Sequence, residues 1–303
     1  MSNSYSTIQQ TYLLSVVIPT LGGASLSGTI AQLNRGTFVP EEILICIPEE
    51  DAFRVEKMSF PNVKIVKTKC RGQVAQRAIG FQQARHALVL QLDDDIRVRE
   101  TCLQRMTECM KKHNDSAVGP KFYDIKTGKY HSFMVPDAGT NKWYERLLFW
   151  VINGGEGYQP GQISRAGINM GVPEIPDDFE HLGWLSGGCI LHQKKNLILD
   201  NYYPFKNKAY AEDLFHSQLL KKKNVSLVRC GSAICDVDFS SSNVKDPIQF
   251  FKLYFAYGRT MTRFVKEIDG NLLRLYLFII LNIIRLIAGK IKLLEIIKTD
   301  RNN

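Results

Sequence analysis

Three consecutive carboxylates, Asp93, Asp94 and Asp95, follow a short apolar run at residues 87–92. The run predicts a strand buried on both faces, so the carboxylates fall at its C-terminal end, where open α/β sheets bind ligands. Because successive strand side chains point to opposite sides, we expect Asp93 and Asp95 to face one site. Three adjacent like charges need compensation, and carboxylate oxygens suit Mg²⁺ or Mn²⁺. The spacing therefore predicts a divalent-metal site for a phosphate-bearing ligand, with a solvated turn as the alternative.

A second acidic pair, Glu212 and Asp213, stands in the run A-Y-A-E-D-L-F-H-S-Q-L-L-K-K. We predict a helix that begins at this pair, because the helix dipole favours negative side chains in the first turn. The dipole is also expected to hold the Asp in its carboxylate form. The alternative is ordinary helix N-terminal charge without a chemical role.

The composition limits the classes of protein and partner. A chain of 303 residues, 45% hydrophobic and 23% charged, predicts a globular protein with one large or two small domains. The net charge of +9 favours an anionic partner, such as nucleotide phosphates or an acidic membrane surface. Nucleic-acid binding as the main role is disfavoured, because the basic residues are dispersed and lack an aromatic platform.

The cysteines and the first residues indicate the compartment. The seven cysteines form no C-x-x-C pair and no zinc-like spacing with histidine, so they predict reduced, mostly buried thiols. Residues 1–12 show no basic-then-apolar signal pattern. We therefore expect a cytoplasmic protein.

The elements that position the acidic groups alternate along the chain. Apolar runs at 13–19, 41–48, 64–68 and 87–92 predict strands. Residues Val74, Ala78 and Phe81 recur at helical spacing just before the last of them. This alternation predicts an α/β fold with a mostly parallel, doubly wound sheet.

Five segments together resemble a known family. They are S-V-V-I-P-T at 15–20, R-G-Q-V-A-Q-R-A-I-G at 71–80, L-D-D-D at 92–95, W-L-S-G-G at 184–188 and E-D-L at 212–214. In this order they resemble the family-2 inverting glycosyltransferases of the glycosyltransferase-A (GT-A) fold, over about residues 13–240. The resemblance implies a Rossmann-like sheet flanked by helices. Leu21-Gly22 and Pro48-Glu49 depart from the family pattern and leave the nucleotide base open.

The resemblance implies roles for individual residues. Asp213, with Glu212, would supply the catalytic base, and Trp184 would contact the acceptor. Mg²⁺ or Mn²⁺ would be held by Asp93 and Asp95, with Asp238 or Asp236 in place of a histidine that many relatives have. Arg77 has the alternative of an ordinary solvated helix arginine, and Asp51 is an alternative to Glu49. The donor-binding set is Pro19, Thr20, Glu49, Lys69, Arg71, Arg77, Asp93, Asp94, Gly187 and Gly188, in which Lys69 and Arg71 suit a diphosphate and the glycines allow close approach to a sugar.

The remainder of the chain predicts an acceptor side and a membrane-associating tail. We assign residues 1–245 to the catalytic domain, with 13–122 binding the nucleotide-sugar and 123–245 on the acceptor side, and 246–303 to C-terminal amphipathic helices. Arg274, Arg285 and Lys292 align on one helix face opposite Leu and Ile, which predicts a helix lying on an anionic membrane. Packing on the catalytic domain or on a second subunit is the alternative. Four aromatic residues at helical spacing are expected in the core, with sugar or lipid stacking as the alternative: Trp143, Tyr144, Phe149 and Trp150.

The predicted function is a metal-dependent inverting glycosyltransferase of bacterial surface-polysaccharide synthesis. It would move a sugar from a nucleotide-diphosphate donor to a hydroxyl of a saccharide or polyprenyl-linked acceptor, on the inner face of the cell membrane. A non-catalytic membrane-bound scaffold of the same fold is one alternative. A sugar-nucleotide pyrophosphorylase is another, although the loop at residues 22–25 lacks the arginine of the G-x-G-x-R-L pattern. A homo-oligomer is left open.

Overall fold

The computed structural model describes residues 13–136, 143–203, 209–238 and 247–284, with side-chain burial from residue 255 in the last range. The strands are β1 (Leu14–Pro19), β2 (Glu42–Pro48), β3 (Val63–Thr68), β4 (Leu88–Leu92), β5 (Arg97–Val98), β6 (Ser116–Asp124), β7 (Tyr130–His131), β8 (Cys189–Gln193) and β9 (Ser226–Val237). The helices are α1 (Leu26–Leu33), α2 (Gln73–Gln83), α3 (Cys102–Lys112), α4 (Trp143–Asn153), α5 (Glu212–Lys222) and α6 (Pro247–Glu267). Residues 272–284 are also helical.

The chain divides into two compact units. Residues 1–131 and 175–241 form the sheet unit, and residues 132–174 and 242–303 form the helical unit. The nine strands of the described residues and the acidic motifs predicted from the sequence lie in the sheet unit. The assignment of residues 123–245 to an acceptor side stays a prediction.

The strands of the sheet unit form one mixed sheet in the order β3-β2-β1-β4-β8-β6-β9-β5, with β7 paired to β6. The first four strands are parallel, as the sequence predicts. Beyond them β8 runs antiparallel to both β4 and β6, while β6 and β9 are parallel. The prediction of a mostly parallel sheet therefore holds for the half that carries β1–β4, and the antiparallel strands β5, β7 and β8 make the whole sheet mixed.

Alternate residues of β1 pack into different layers of the core. Leu14, Val16 and Ile18 join a buried cluster with side chains of α1 and α3, and Val17 joins another with Phe81 of α2. Helices thus cover both faces of the sheet, which is why the parallel strands read as continuous apolar runs. Burying each such aliphatic side chain stabilises the fold by roughly 1.5–3 kcal/mol.

A glycine brings α2 close to the sheet. A Cβ on Gly80 would lie 2.4 Å from Val17 Cγ1 and 2.5 Å from Cys46 Sγ, so only glycine allows α2 to pack this closely on β1 and β2. Close packing brings the polar first turns of α2 to the C-terminal ends of these strands. The polar side chains of Gln73, Gln76 and Arg77 all make hydrogen bonds at this edge.

The helical unit places Arg274 against protein rather than on a free helix face. Its guanidinium Nη1 donates to the carbonyl oxygens of Trp150 (2.7 Å) and Val151 (2.9 Å) near the end of α4. Cations are favoured at helix C-termini, which accounts for the contact. For Arg274 these contacts favour the alternative of packing on protein, while the predicted membrane-lying helix stays a prediction. Arg285 and Lys292 lie outside the described residues, so the prediction for the rest of the tail stays a prediction.

The aromatic residues of α4 are mostly exposed. Phe149 is buried, but the exposed fractions of Trp143 and Trp150 are 74% and 55%, and Tyr144 is also exposed. The expectation of a core role is therefore wrong for three of the four side chains. Among the described helices, none combines the length and apolarity that crossing a bilayer requires.

Candidate functional site

The three consecutive carboxylates lie in a turn that follows β4. The strand ends at Leu92, so the two-residue alternation of a strand does not apply to residues 93–95. Asp93 is half-buried, and its Oδ1 accepts hydrogen bonds from Gln73 Nε2 (2.7 Å) and Arg77 Nη2 (3.2 Å). Burial raises the pKa of Asp93 to about 6; Arg77 opposes the shift, whereas nearby carboxylates add to it. Asp95 is exposed.

Arg77 joins the two acidic motifs. Its side chain is only 3% exposed, and Nη1 donates to Glu212 Oε1 (3.0 Å) and Oε2 (3.1 Å) while Nη2 reaches Asp93. Burial alone would lower the pKa of Arg77, but the charges of Glu212 and Asp93 raise it overall. The guanidinium therefore stays charged, and the alternative of a solvated helix arginine is excluded by its burial.

Glu212 is fixed on both carboxylate oxygens at the start of α5. The helix begins at Glu212, as predicted. Besides Arg77, the Tyr202 hydroxyl donates to Oε2 at 2.7 Å. The Tyr202 ring in turn stacks on buried His216, with ring centroids 5.7 Å apart. A buried carboxylate with these partners is held rigidly and positions its neighbour on the helix.

The environment of Asp213 shifts the pKa of its carboxyl group towards neutral pH. Its Oδ1 accepts a hydrogen bond from the Leu214 N–H at 3.0 Å. Burial, followed by the negative charge of Glu212, raises the pKa of Asp213 to about 7. The expectation that the dipole alone keeps this Asp ionised is wrong, because burial and the adjacent carboxylate outweigh it. A pKa near the working pH suits a general base.

Hydrogen bonds join the loop after β1 to the turn after β4 and to α2. The Thr20 hydroxyl donates to Asp94 Oδ2, and the Gly22 N–H donates to Thr20 Oγ1 at 2.9 Å. Gln76 Nε2 donates to the carbonyl oxygens of Thr20 (2.9 Å) and Cys46 (2.7 Å). Asp94 and the buried Gln76 thus shape the edge, while buried Pro19 ends β1 beside it.

Gly187 and Gly188 leave room for protein atoms. A Cβ on Gly187 would lie 2.5 Å from Glu212 Oε1, and one on Gly188 would lie 2.4 Å from Ile96 Cδ1. The Gly187 carbonyl also accepts a hydrogen bond from Gln91 Nε2. The distances give both glycines a packing role, because they let the acidic motifs come together. Their predicted close approach to a sugar stays a prediction.

A separate charged group follows β2. Asp51 is buried and lies 3.0 Å from Arg71 Nη1 and 3.6 Å from Arg54 Nη2. Arg71 also pairs with Glu50 at 3.1 Å, whereas Glu49 is exposed. Of the two alternatives left by the sequence, Asp51 is the residue with a fixed side chain. Arg71 lies with these acids and not with Asp93.

Four other predicted residues are not among the ion-pair partners of Arg77 in the described part of the chain. Asp238 pairs with Lys126 at 3.2 Å, and Asp93, Asp95 and Asp238 form no group with all three ligand atoms within 4.8 Å in the described part of the chain. Asp236, the other candidate, pairs with Arg99 at 2.7 Å. Lys69 is exposed and Trp184 half-buried.

The turn after β4 fits a divalent cation. Within the described ranges, no group donates a hydrogen bond to Asp95 or to Asp93 Oδ2, so carboxylate oxygens remain available on both residues. Such oxygens are the ligands that Mg²⁺ and Mn²⁺ prefer. The residues present thus suit the cation that the D-x-D spacing predicts.

Sequence reasoning missed three residues of the site. Gln73 and Gln76 share the first turns of α2 with Arg77, and their spacing on the helix was the available signal. Tyr202 is brought to Glu212 by tertiary packing, and no local pattern around it indicates that contact.

Comparisons with known proteins agree with this architecture. Residues 15–162 match the family model described as "Glycosyl transferase family 2". No curated protein matches the chain in sequence. The crystal structure of GalNAc-T7 with UDP, GalNAc and Mn²⁺ is similar, with a TM-score of 0.56 and 15% identity, over 82% of this chain and 51% of that chain.

Two structures of S. aureus TarS 1–349, one in complex with UDP-GlcNAc, also align with the chain. Each is 16% identical over 82% of this chain and 65% or 66% of the other, with TM-scores of 0.47 and 0.46. The chain spans about half the length of the GalNAc-T7 structure, and at this identity the likeness concerns the fold. Residues 15–162 are thus similar in sequence to glycosyl transferase family 2, and the α/β architecture is that of the GT-A fold.

Proposed function

We propose that the protein is a metal-dependent inverting glycosyltransferase. It transfers a sugar from a nucleotide-diphosphate donor to a hydroxyl of a saccharide or polyprenyl-linked acceptor. The observation that carries the proposal is the pair of contacts made by Arg77, which unite Asp93 of the D-x-D turn with Glu212 of the E-D helix. A metal-binding acid and a candidate base therefore belong to one site at the C-terminal edge of parallel strands, where α/β sheets bind ligands.

The chemistry assigns a separate task to each acidic residue. Asp213 removes the proton of the acceptor hydroxyl as that oxygen attacks the anomeric carbon of the donor sugar. The bond from this carbon to the diphosphate oxygen breaks, and the single displacement inverts the anomeric centre. Arg77 and Tyr202 hold both oxygens of Glu212, so Asp213 is the carboxylate left to act as the base. The charge of Glu212 raises the pKa of Asp213 and strengthens it as a base.

The donor diphosphate needs positive charge as it leaves. Asp93 and Asp95 would hold the cation, and bound Mg²⁺ or Mn²⁺ supplies charge that stabilises the departing diphosphate. Lys69 is exposed in the loop that precedes α2 and is a further source of positive charge. The GalNAc-T7 structure contains UDP and Mn²⁺, so these are the first ligands to test.

The reaction products separate glycosyl transfer from the two alternatives, a sugar-nucleotide pyrophosphorylase and a non-catalytic scaffold. Release of a nucleoside diphosphate from a nucleotide-sugar, with Mn²⁺ and a saccharide panel, measures transfer. A pyrophosphorylase instead forms a nucleoside triphosphate when pyrophosphate is added, and a scaffold does neither. We expect diphosphate release, reduced about 10²–10⁴-fold in Asp213→Asn, the usual contribution of a general base. Asp115→Asn is the control, because exposed Asp115 pairs with Lys195 and is not part of the proposed site. Triphosphate formation, or equal rates in Asp213→Asn and wild type, contradicts the proposal.

We also propose that the helical unit contacts an anionic membrane, which favours a lipid-linked acceptor and a peripheral location on the inner face of the cell membrane. Support comes from the net charge of +9 and from exposed Trp143 and Trp150 on α4. Leu273, Ile280 and Ile284 are exposed on the helix at 272–284. Aromatic and apolar side chains on a basic protein suit the membrane interface. Co-sedimentation with phosphatidylserine vesicles should weaken in Trp150→Ser; equal binding of both proteins would contradict the proposal.

A further inference from the structure

A second group of potential metal ligands lies in the sheet unit, on α3 and the elements that it contacts. Cys109 Sγ, a ring nitrogen of His113 and a carboxylate oxygen of Asp178 lie within 4.8 Å of one another. The Cys230 thiol donates to the Arg105 carbonyl oxygen at 3.6 Å, one turn before Cys109 on α3, and so lies beside this group. These four residues are called the α3 cluster below. None of them belongs to the glycosyl-transfer site proposed above.

The His113 ring lies between two carboxylates. Its Nδ1 lies 3.3 Å from Glu180 Oε2, and its Nε2 lies 3.5 Å from Asp178 Oδ2. A neutral imidazole has one N–H and can donate to only one of these carboxylates. If Nδ1–H donates to Glu180, the bare Nε2 faces the oxygen of Asp178, and a cation between them turns a repulsion into two bonds. A carboxylate behind a metal-ligating histidine is the usual arrangement.

The donor set selects the metal. Two thiols, an imidazole and a carboxylate are the ligands of tetrahedral zinc sites, whereas Mg²⁺ and Mn²⁺ prefer oxygen alone. Tetrahedral Zn²⁺ separates its ligand atoms by about 3.3–3.8 Å, so shifts of about 1 Å would complete the geometry. Cys109 and His113 are four residues apart, which places them on one face at the end of α3. Asp178 is oriented by the Gly231 N–H, which donates to its Oδ1 at 2.8 Å.

The α3 cluster connects segments that are far apart in sequence. Cys109 belongs to α3 and Cys230 to β9, while Asp178 lies in an extended stretch bridged to β9 through Phe179 and Arg229. That stretch leads to Gly187 and β8, and Gly187 packs against Glu212. A metal at the cluster would therefore fix the segment that leads from Asp178 to the glycosyl-transfer site.

We propose that Cys109, His113, Asp178 and Cys230 bind a zinc ion that ties α3, β9 and the segment around residue 178 together. The site is structural, because four protein ligands leave no open position for substrate.

Cobalt substitution tests this assignment on the full-length protein, freed of metal with a chelator under reducing conditions and titrated with Co²⁺ alone. We expect a sulfur-to-cobalt charge-transfer band and intense tetrahedral d–d bands, both abolished by Zn²⁺. The D-x-D turn cannot give these bands, because it offers only oxygen. Cys230→Ser should lose the charge-transfer intensity of one thiolate, and His113→Ala should weaken Zn²⁺ binding at least about tenfold, since even outer-shell partners are worth that much.

Cys102→Ser is the matched control. Cys102 is a buried thiol of the same helix, but its sulfur lies 3.7 Å from Cys235, away from the α3 cluster. The control should keep the wild-type spectrum. Zn²⁺ should also raise the melting temperature of wild type and Cys102→Ser but not of His113→Ala. The side chain of His113 is partly exposed, so we expect His113→Ala to fold. Absence of the bands in wild type, their loss only in Cys102→Ser, or unchanged Zn²⁺ affinity in His113→Ala would each overturn the proposal.

Discussion

Arg77 and Glu212 are 135 residues apart in the chain, yet they form a buried ion pair through two hydrogen bonds of 3.0 and 3.1 Å. The same guanidinium reaches Asp93 at 3.2 Å. One side chain of α2 thus fixes the turn after β4 and the start of α5 with respect to each other. Predictions about the site follow from this arrangement.

Replacement of Arg77 should lower the free energy of unfolding by more than replacement of an exposed arginine does. Arg77→Met leaves Glu212 and Asp93 without their buried partner, so we expect the free energy of unfolding to fall by about 3–5 kcal/mol. Urea denaturation measures it. Arg105→Met is the control, because the Arg105–Glu108 pair is exposed and such pairs contribute about 0.2–1 kcal/mol. Similar small losses in both variants would mean that the ion pairs around Arg77 do not hold the site together.

The pKa of Asp213 predicts a pH-dependent effect on stability. The folded value of about 7 is above the ordinary 3.8, so the folded chain binds more protons than the unfolded chain between these pH values. The free energy of unfolding of the wild type therefore falls as pH rises towards 7, because the folded chain loses the proton that it binds more tightly than the unfolded chain. Asp213→Asn does not titrate, so its melting temperature relative to wild type should be several degrees higher at pH 8 than at pH 5. No change in that difference would contradict the raised pKa.

The same pKa predicts the pH dependence of turnover. A base must be deprotonated, so the rate should rise about tenfold per pH unit below pH 7 and level off above it. Initial rates of nucleoside diphosphate release at saturating donor measure the profile. A rate that stays level from pH 5 to pH 8 would exclude Asp213 as a base with this pKa.

Gly187 should not tolerate a methyl group. In Gly187→Ala the new Cβ would meet Glu212 Oε1 at 2.5 Å, so Glu212 must shift away from Arg77. We expect a lower melting temperature and weaker donor binding. Gly28→Ala is a favourable control, because nothing lies within 4 Å of its new Cβ and alanine stabilises a helix interior by roughly 0.5–1 kcal/mol. Equal stability of the two variants would contradict the packing role of Gly187.

The sequence predicted the parts of the site that depend on local pattern. The parallel strands, the position of the three carboxylates after β4 and the helix beginning at Glu212 all follow from short apolar runs and their ends. The antiparallel insertion of β8 and the contact of Tyr202 with Glu212 depend on tertiary packing, so no local signal announced them.

The cysteines illustrate the same limit. Their spacing predicted free, mostly buried thiols, and Cys70 is the only one of the seven that is not buried. Spacing could not bring Cys109, His113, Asp178 and Cys230 together, because these ligands come from three separate segments. The burial of Arg77 was equally hidden, since helical periodicity does not reveal acidic partners that lie far along the chain.

The central claim is tested most directly by the melting temperature of the purified protein with Mn²⁺ and each of UDP, GDP, CDP and dTDP. A ligand that binds only the folded chain raises this temperature by mass action. The account predicts that one nucleotide stabilises the wild type only when Mn²⁺ is present, that Asp95→Ala loses the effect, and that the control Asp115→Ala keeps it. If no nucleotide stabilises the wild type with or without Mn²⁺, or if Asp95→Ala responds like the wild type, the assignment of the D-x-D turn to a metal–nucleotide site is wrong.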